Sequence, residues 1–268
     1  MKHWEEIPAG SNPRVSSWLA LHEPITTVLS QRDREGNGVF LCCNQSLLYR
    51  GSGGFYFVIL EPELSPEAVE ELQRMFVRQR RIHSLMGPNE SVARLTEARC
   101  PRQVVDYEFM SLSRASFPAV GAPPLAELQL HRATPEDVDT LTELHYAYEL
   151  EEVILPGYTL DRRTSRAGLA ASLREQIVVF AAQHGQAVAR AATNAVGYTN
   201  CQIGGIYTVP SLRGQGVARW VVLWLLDRIG QLGANASLFV KPHNQHARTL
   251  YRRMGFRFEQ HFRITYYV

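Results

Sequence analysis

The residues best placed for chemistry begin with the segment Arg213-Gly-Gln-Gly-Val-Ala218, which lies between a strand-like segment and a strongly apolar helix-like segment. The first N–H groups of a helix have no intrahelical partners and carry a partial positive charge, so they bind anions. Gly214 and Gly216 let a ligand approach these groups closely. Arg213 adds a positive charge, and Ala218 keeps the first helical turn small. The spacing therefore predicts a turn that holds a pyrophosphate.

Two other phosphate-binding motifs fit this segment less well. A Rossmann turn needs a third small residue where Arg219 stands, and an acidic residue at the end of the next strand. That strand, predicted at Ser237–Lys241, ends in lysine. A Walker A loop needs Gly-Lys-Ser/Thr, and this tripeptide does not follow Gly216. An ordinary surface turn with glycines and an arginine remains the alternative.

Arg213–Ala218 resembles the acyl-CoA-binding motif of the GNAT N-acetyltransferase superfamily. A second block, Leu238–Asn244 followed by Ala247–Phe256, resembles the closing strand, Asn-led helix and Leu-Tyr-x-x-x-Gly-Phe ending of that family. The two blocks occur in the family's order, separated by one helix and one strand. The resemblance covers residues 127–268.

The resemblance implies an α/β fold with a mixed sheet, the GNAT-like acyl-CoA N-acyltransferase fold. It also implies an enzyme that moves an acetyl group from acetyl-CoA directly onto an amine of a small molecule or a protein. The residues that would bind the cofactor are Ile206, Tyr207 and Thr208 along the pantetheine arm, Arg213, Gly214, Gln215, Gly216, Val217 and Ala218 at the pyrophosphate, and Asn244 near the pantetheine.

The catalytic residues follow from the same resemblance and from a search for carboxylates. Tyr251 matches the family's tyrosine general acid, although a tyrosine in a helix can also simply pack with its hydroxyl at the rim. Many relatives carry a basic carboxylate on the strand before the phosphate turn, and Ile203–Thr208 has none. Glu149 and Glu152 share one helical face and are the candidate bases, because the reaction needs a proton acceptor. A solvated acidic face and a water relay to a distant group remain alternatives.

The elements that must position these residues can be read from periodicity and capping signals. Thr134 and Pro135 begin a helix with an N-cap and a proline at its first position, and this helix is predicted to end near Pro156–Gly157. The other predicted elements of this half are a helix at Asp161–Arg174, strands at Gln176–Ala182, Ala187–Thr193 and Cys201–Thr208, a buried helix at Val217–Leu232, the strand Ser237–Lys241 and a last β segment at Arg257–Tyr267.

Length and composition bound the number of domains and the class of protein. The chain has 268 residues, which exceeds the usual single-domain size of about 100–200 residues. The proline-rich stretch around residues 113–126 reads as a linker, so we expect an N-terminal α/β domain at 1–112 and the GNAT-like domain at 127–268. A hydrophobic fraction of 45% and a net charge of +2 describe a globular protein with no reason to bind nucleic acid or a membrane.

The N-terminal half alternates strands and helices in a way that is compatible with a degenerate second copy of the same fold. Strands are predicted at Gly38–Cys43, Phe55–Leu60 and Gln103–Leu112, and a helix at Ser65–Arg78. This half lacks the Arg-x-x-Gly-x-Gly/Ala turn, so we expect no cofactor there. Strand residues follow Gly51–Gly54, which favours a hairpin turn over a phosphate turn.

The cysteines and the apolar segments indicate the compartment. Cys42, Cys43, Cys100 and Cys201 have no metal-binding spacing, so we expect free thiols, no metal and a reducing compartment. The longest apolar run, Trp220–Leu226, is too short to span a bilayer. These observations predict a cytoplasmic protein.

The acceptor is not specified by these motifs, because acceptor loops vary freely on one fold. The sequence also leaves a second class of function open, a catalytically weak acyl-CoA-binding sensor or interaction module. Tyr251 favours the enzyme, and the missing strand carboxylate keeps the sensor as the alternative. A homodimer through an edge strand is compatible with the sequence.

Overall fold

A computed structural model describes residues 3–267, and its helices and strands follow the same order twice. The first pass contains β1 (Glu5–Pro8), α1 (Pro13–Leu21), α2 (Glu23–Arg34), β2 (Val39–Cys43), β3 (Ser46–Arg50), β4 (Phe55–Ile59), α3 (Pro66–Val77), β5 (Ser84–Pro88), α4 (Asn89–Thr96) and β6 (Gln103–Leu112). The second contains β7 (Gln129–Arg132), α5 (Val138–Tyr148), α6 (Arg162–Glu175), β8 (Val178–Gln183), β9 (Gln186–Val196), β10 (Asn200–Thr208), α7 (Val217–Gln231), β11 (Asn235–Val240), α8 (Gln245–Arg253) and β12 (Arg257–Tyr266).

Three helices begin at side-chain caps, and the one at Thr134 is predicted by the sequence. The Ser65 hydroxyl accepts from the Ala68 N–H at the start of α3, at 3.3 Å. Thr134 and Asp137 form a capping box at the turn that leads into α5. The Asp161 carboxylate accepts from the Thr164 N–H at 2.8 Å and caps α6. Each cap satisfies a backbone donor that the helix itself leaves without a partner.

The described residues fall into two compact units. The first unit contains residues up to 111 together with 239–249 and 257–267, and the second contains 112–238 and 250–256. The predicted domains, 1–112 and 127–268, differ from these units in the last 30 residues, part of which groups with the N-terminal half. Domain limits in the sense of segments that fold independently stay a prediction.

The first unit is built on the sheet β1-β2-β3-β4-β5-β12-β6. β4 and β5 are parallel, whereas the other neighbouring strands are antiparallel. The strand β12, the last in the chain, lies between β5 and β6, and its Phe262 is opposite Pro88 on one side and Tyr107 on the other. The C-terminal strand thus completes the sheet of the N-terminal residues.

The second unit is built on the sheet β7-β8-β9-β10-β11, in which only β10 and β11 run parallel. The helices α5 and α6 bury a set of apolar side chains against this sheet. This core comprises Leu141, Leu144, Leu169, Leu173, Val178, Phe180, Ala192 and Tyr207. The helix α7 packs on β8, β9 and β10 and buries most of its circumference, as its continuous apolar sequence predicts.

The predicted elements of the second half are confirmed to within a few residues, with one exception. The helix predicted to reach Pro156–Gly157 ends as an α-helix at Tyr148 and continues as a π-helical turn, Glu149–Val153. In the first half the hairpin turn at Gly51–Gly54 is confirmed, because Arg50 pairs with Tyr56 across it. The sequence analysis assigned no elements to β1, α1, α2 and β3.

Candidate functional site

The strand β10 leaves its regular pairing at the position where the sequence places the pantetheine arm. Gly204 is opposite Ala192 of β9, but the next registered pair is Tyr207 with Arg190, so the intervening residues form a bulge. Gly205 in this bulge has a positive φ of 58°, which favours glycine. Pairing with β11 covers Asn200–Ile203. Within residues 3–267, the rest of β10 is therefore in register with β9 alone, which leaves an edge for an extended ligand.

The end of β10 carries a buried hydroxyl that lacks a partner. Thr208 is 7% exposed, and its Oγ1 makes no hydrogen bond to any described residue. An unsatisfied buried hydroxyl is costly, so it points to a ligand that completes it. Ile206 is half-buried and Tyr207 is buried beside it.

The turn that follows has the geometry of an open anion site. Gly214 and Gly216 both have positive φ, 75° and 83°, a conformation that L side chains rarely adopt. A Cβ on Gly214 would meet no atom within 4 Å. Gly216 is the N-cap of α7, and no described side chain caps that helix. The first N–H groups of α7 are thus left for a ligand.

The remaining residues of this turn differ in exposure. Val217 is buried and anchors the helix, whereas Ala218 is half-buried and Gln215 is exposed. The Gln215 amide donates to the Ser211 carbonyl at 3.0 Å, which closes the turn on itself.

The corresponding turn of the first pass is closed instead. There the helix α3 follows β4, as α7 follows β10. Ser65 caps α3, Pro66 occupies its first position, and Glu67 places a negative charge in its first turn. A capped helix start with a carboxylate repels an anion. This difference supports the expectation of no cofactor in the N-terminal half.

Arg213 connects the phosphate turn to the acidic segment after α5. Its Nε donates to the Thr208 carbonyl at 3.0 Å, and its Nη2 donates to Glu151 Oε2 at 2.7 Å. Its guanidinium carbon lies 5.2 Å from the centre of the Tyr207 ring. The hydrogen bond that Arg213 donates to Glu151 raises the pKa of Arg213 above its usual value. Glu151 thus lies beside the glycine turn that precedes α7.

Tyr251 is buried on α8, 7% exposed, beside the ring of Phe256. Burial raises the pKa of its phenol, and the nearby Tyr148 and Glu152 raise it further. The phenol is therefore protonated at neutral pH and able to donate a proton.

A polar stripe runs along α5 and the π-helical turn toward Tyr251. His145, Tyr148, Glu149 and Glu152 are spaced so that they share one helical face. Burial raises the pKa of Tyr148, whereas Arg190 and a hydrogen bond with the Gly205 backbone lower it. The stripe therefore contacts the bulge of β10 and places Glu152 near Tyr251.

Glu149 differs from Glu152 in how it is held. Its Oε2 accepts from the Ser165 hydroxyl of α6 and lies 3.5 Å from His145 Nε2. These two contacts fix the orientation of the carboxylate. The structure thus separates two glutamates that the sequence treats as equivalent.

Asn244 lies just before α8, where its Oδ1 accepts from the Ala247 N–H at 3.1 Å. It is the N-terminal cap of that helix. Its contact with the cofactor stays a prediction.

A search against family models matches residues 139–256 to the acetyltransferase (GNAT) family. Residues 139–256 form a GNAT domain. No curated protein matches the sequence significantly.

Solved structures show that the fold extends beyond this GNAT domain. A Drosophila protein is 13% identical, with a TM-score of 0.71 and 99% of both chains covered. A GCN5-related N-acetyltransferase from Kribbella flavida is 16% identical, with a TM-score of 0.60 and 94% of both chains covered. A tandem GNAT protein from the clavulanic acid biosynthesis pathway is 10% identical, with a TM-score of 0.60 and 98% of both chains covered. The repeated element order and these neighbours confirm a GNAT-like α/β fold in tandem arrangement.

The sequence analysis missed the partners that surround the acidic stripe of the GNAT domain. Arg190 lies at 2% exposure in β9, and Ser165 lies in α6. A signal for Arg190 was present, since it interrupts the small apolar run Ala187–Ala192 in a predicted strand. A charged residue in a buried strand needs a partner or a function. Ser165 carries no such signal.

Residues 3–267 contain no group of three or more His, Cys, Asp or Glu side chains arranged to hold a metal ion. The same residues include no helix that is long and apolar enough to cross a membrane.

Proposed function

We propose that this protein is an acetyl-CoA-dependent N-acetyltransferase that moves the acetyl group directly onto an amine of a small molecule or a protein. The observation that carries the proposal is the continuous path from the bulged edge of β10 to the uncapped glycine turn of α7. Such a path fits a ligand that is extended and amide-bearing at one end and doubly charged at the other. Family membership of residues 139–256 supports the same conclusion.

The residues that bind the donor follow from this path. Backbone groups of Ile206–Thr208 pair with the amides of the pantetheine arm, and the Thr208 hydroxyl gains its missing partner. The N–H groups at Gly214–Ala218 hold the pyrophosphate, with Gln215 exposed at its rim. Arg213 supplies a positive charge there, and Asn244 is assigned to the pantetheine by family resemblance alone.

The chemistry needs a neutral amine and a donor for the departing thiolate. Tyr251 donates this proton, because burial keeps its phenol protonated at neutral pH. Glu149 is the proton acceptor for the ammonium, because its Oε2 is oriented by Ser165 and His145. The charge of Glu152 favours the protonated form of Tyr251 and so supports the acid.

Donor binding is tested by calorimetric titration of the protein with acetyl-CoA. We expect micromolar binding that is lost in Gly216→Glu, because the new side chain adds strain at φ 83° and a negative charge in the anion site. Gly185→Glu is the matched control: it has a φ of 76°, open space around its Cβ and a place in a distant hairpin. If folded wild-type protein does not bind acetyl-CoA, the proposal is wrong.

Catalysis is tested with Tyr251→Phe and Glu149→Gln in an amine-acceptor screen. We expect each variant to lower kcat by roughly 100-fold or more, the usual contribution of a general acid or base, with acetyl-CoA affinity retained. Glu152→Gln should cost less, because in this proposal Glu152 acts on the acid through its charge and does not accept the proton. Unchanged turnover in Tyr251→Phe would remove its catalytic role.

The second candidate function is an acyl-CoA-binding sensor or interaction module. It is favoured by the strand Ile203–Thr208, which carries no carboxylate. Binding of acetyl-CoA without turnover of any amine would select it. A cytoplasmic location and a homodimer through a sheet edge belong to the proposal, and fractionation and analytical ultracentrifugation test them.

A further inference from the structure

Arg190 is a charged residue that lies in the interior of the second unit. It is the largest side chain in the described residues that is fully buried. A buried charge is strongly unfavourable unless it is paired or hydrogen-bonded. Its Nη1 hydrogen-bonds to His145 Nδ1, and its guanidinium carbon lies 5.8 Å from the centre of the Tyr148 ring. Its Nε has no partner among residues 3–267.

This contact fixes the tautomer of His145. A guanidinium can only donate, so His145 Nδ1 must accept and the ring proton must lie on Nε2. Nε2, which therefore carries the ring proton, lies 3.5 Å from Glu149 Oε2. Burial lowers the pKa of His145 to about 4, with Arg190 as the second cause, so the ring is neutral at physiological pH. A neutral ring in this tautomer transmits the orientation of Arg190 to Glu149.

Glu149 is surrounded by polar and charged side chains from three elements. From its own helical segment His145, Tyr148 and Glu152 face this region, from β9 Arg190, and from α6 the hydroxyl of Ser165. Two arginines of α6 pair with other carboxylates, Arg162 with Glu143 and Arg166 with Asp139. Among these groups Arg190 is the cation. Its positive charge acts on Glu149 directly through space, and its contact with His145 acts on Glu149 indirectly.

We propose that Arg190 and His145 are positioning residues that act in series to hold the Glu149 carboxylate in one orientation. The inference rests on the proposed function, in which Glu149 accepts the proton of the amine. It assigns to Arg190 and His145 no contact with the substrate. It predicts that breaking either link changes the pH at which Glu149 can accept a proton.

The two links are separated by a matched pair of substitutions. In His145→Gln the side-chain amide can occupy the position of Nε2 and still donate to Glu149. In His145→Asn the side-chain oxygen can occupy the position of Nδ1 and still accept from Arg190, but no donor reaches Glu149. Both replacements are neutral and polar and smaller than or similar to histidine. The pH profile of kcat/KM and the affinity for acetyl-CoA are measured for both.

We expect the acid limb of the profile to move to higher pH by about one unit in His145→Asn, because loss of a donor disfavours the carboxylate. The midpoint in His145→Gln should stay nearer the wild-type value, and both variants should retain acetyl-CoA affinity. Arg190→Met should shift the midpoint in the same direction, and Arg190→Lys should shift it less.

Equal midpoints in wild type, His145→Asn and His145→Gln would overturn the inference, whatever happens to stability. If Arg190→Met does not fold, the His145 pair decides alone. Failure of the proposed function has a different signature. In that case Glu149→Gln retains full turnover, or wild-type protein binds acetyl-CoA and acetylates no amine.

Discussion

The neutral state of His145 predicts how the stability of the second unit depends on pH. The ordinary pKa of the imidazole is 6.5, and burial beside Arg190 lowers it to about 4 in the folded protein. The unfolded chain therefore binds a proton below pH 6.5 that the folded protein does not bind until about pH 4. Above pH 6.5 the titration of His145 takes nothing from the free energy of unfolding, and this free energy falls as the pH decreases toward 4. Linkage gives a loss of about 2 kcal/mol by pH 5 and about 3 kcal/mol by pH 4.

Urea unfolding at a series of pH values measures this loss. The reporter is tryptophan fluorescence, with Trp220 and Trp224 of α7 in the second unit. His145→Gln is the control, because it keeps a polar side chain of similar length and removes the titration. We expect the wild-type unfolding free energy to fall by about 2 kcal/mol more than that of His145→Gln between pH 7.5 and 5.

Comparing how the unfolding free energies of wild type and His145→Gln change with pH cancels the contributions of the other titrating groups. Glu71, Glu136 and Asp161 have carboxyl pKa values lowered by hydrogen bonds, and they contribute to acid sensitivity equally in both proteins. A lower stability of His145→Gln at every pH does not matter, since only the pH-dependent difference is compared. Parallel curves for the two proteins would refute the assignment of a neutral, buried His145.

Two further predictions concern the phosphate turn and the thiols. Glu151→Gln should tighten acetyl-CoA binding by roughly two- to five-fold at low salt and not at high salt, because the Arg213–Glu151 pair is about half exposed and worth at most about 1 kcal/mol. Glu143→Gln, which breaks the exposed pair with Arg162, is the control in the same calorimetric titration, and an equal effect of both variants would contradict the reasoning. In native protein at pH 8, iodoacetamide should label Cys100 first, because Cys100 is exposed whereas burial raises the pKa of Cys42 to about 11. Mass spectrometry after short labelling checks the order, and equal labelling of Cys42 would show that its burial is wrong.

Much of the fold of the second half could be predicted from the sequence because its signals are local. A cap and a proline at Thr134–Pro135 begin a helix wherever they occur, and strand alternation ends at glycine turns. β1, α1, α2 and β3 of the first half were not assigned. The helix α2 buries several polar side chains, among them Thr26 and Ser30, so it lacks a clear apolar face. Periodicity detects only helices whose buried face is apolar.

The sequence by itself predicted the resemblance to the GNAT family, the glycine turn and the candidate acid, because glycines, an arginine and a tyrosine at fixed spacing lie within two short segments. Tertiary structure alone decided what surrounds the carboxylates. Glu149 and Glu152 are equivalent in helical spacing, and the packing of α5 and α6 brings Ser165 and His145 to Glu149. Arg190 contacts His145 from β9, 41 residues further along the chain than Glu149. Such partners meet only when separate elements pack, and the spacing of residues within one segment does not predict that packing.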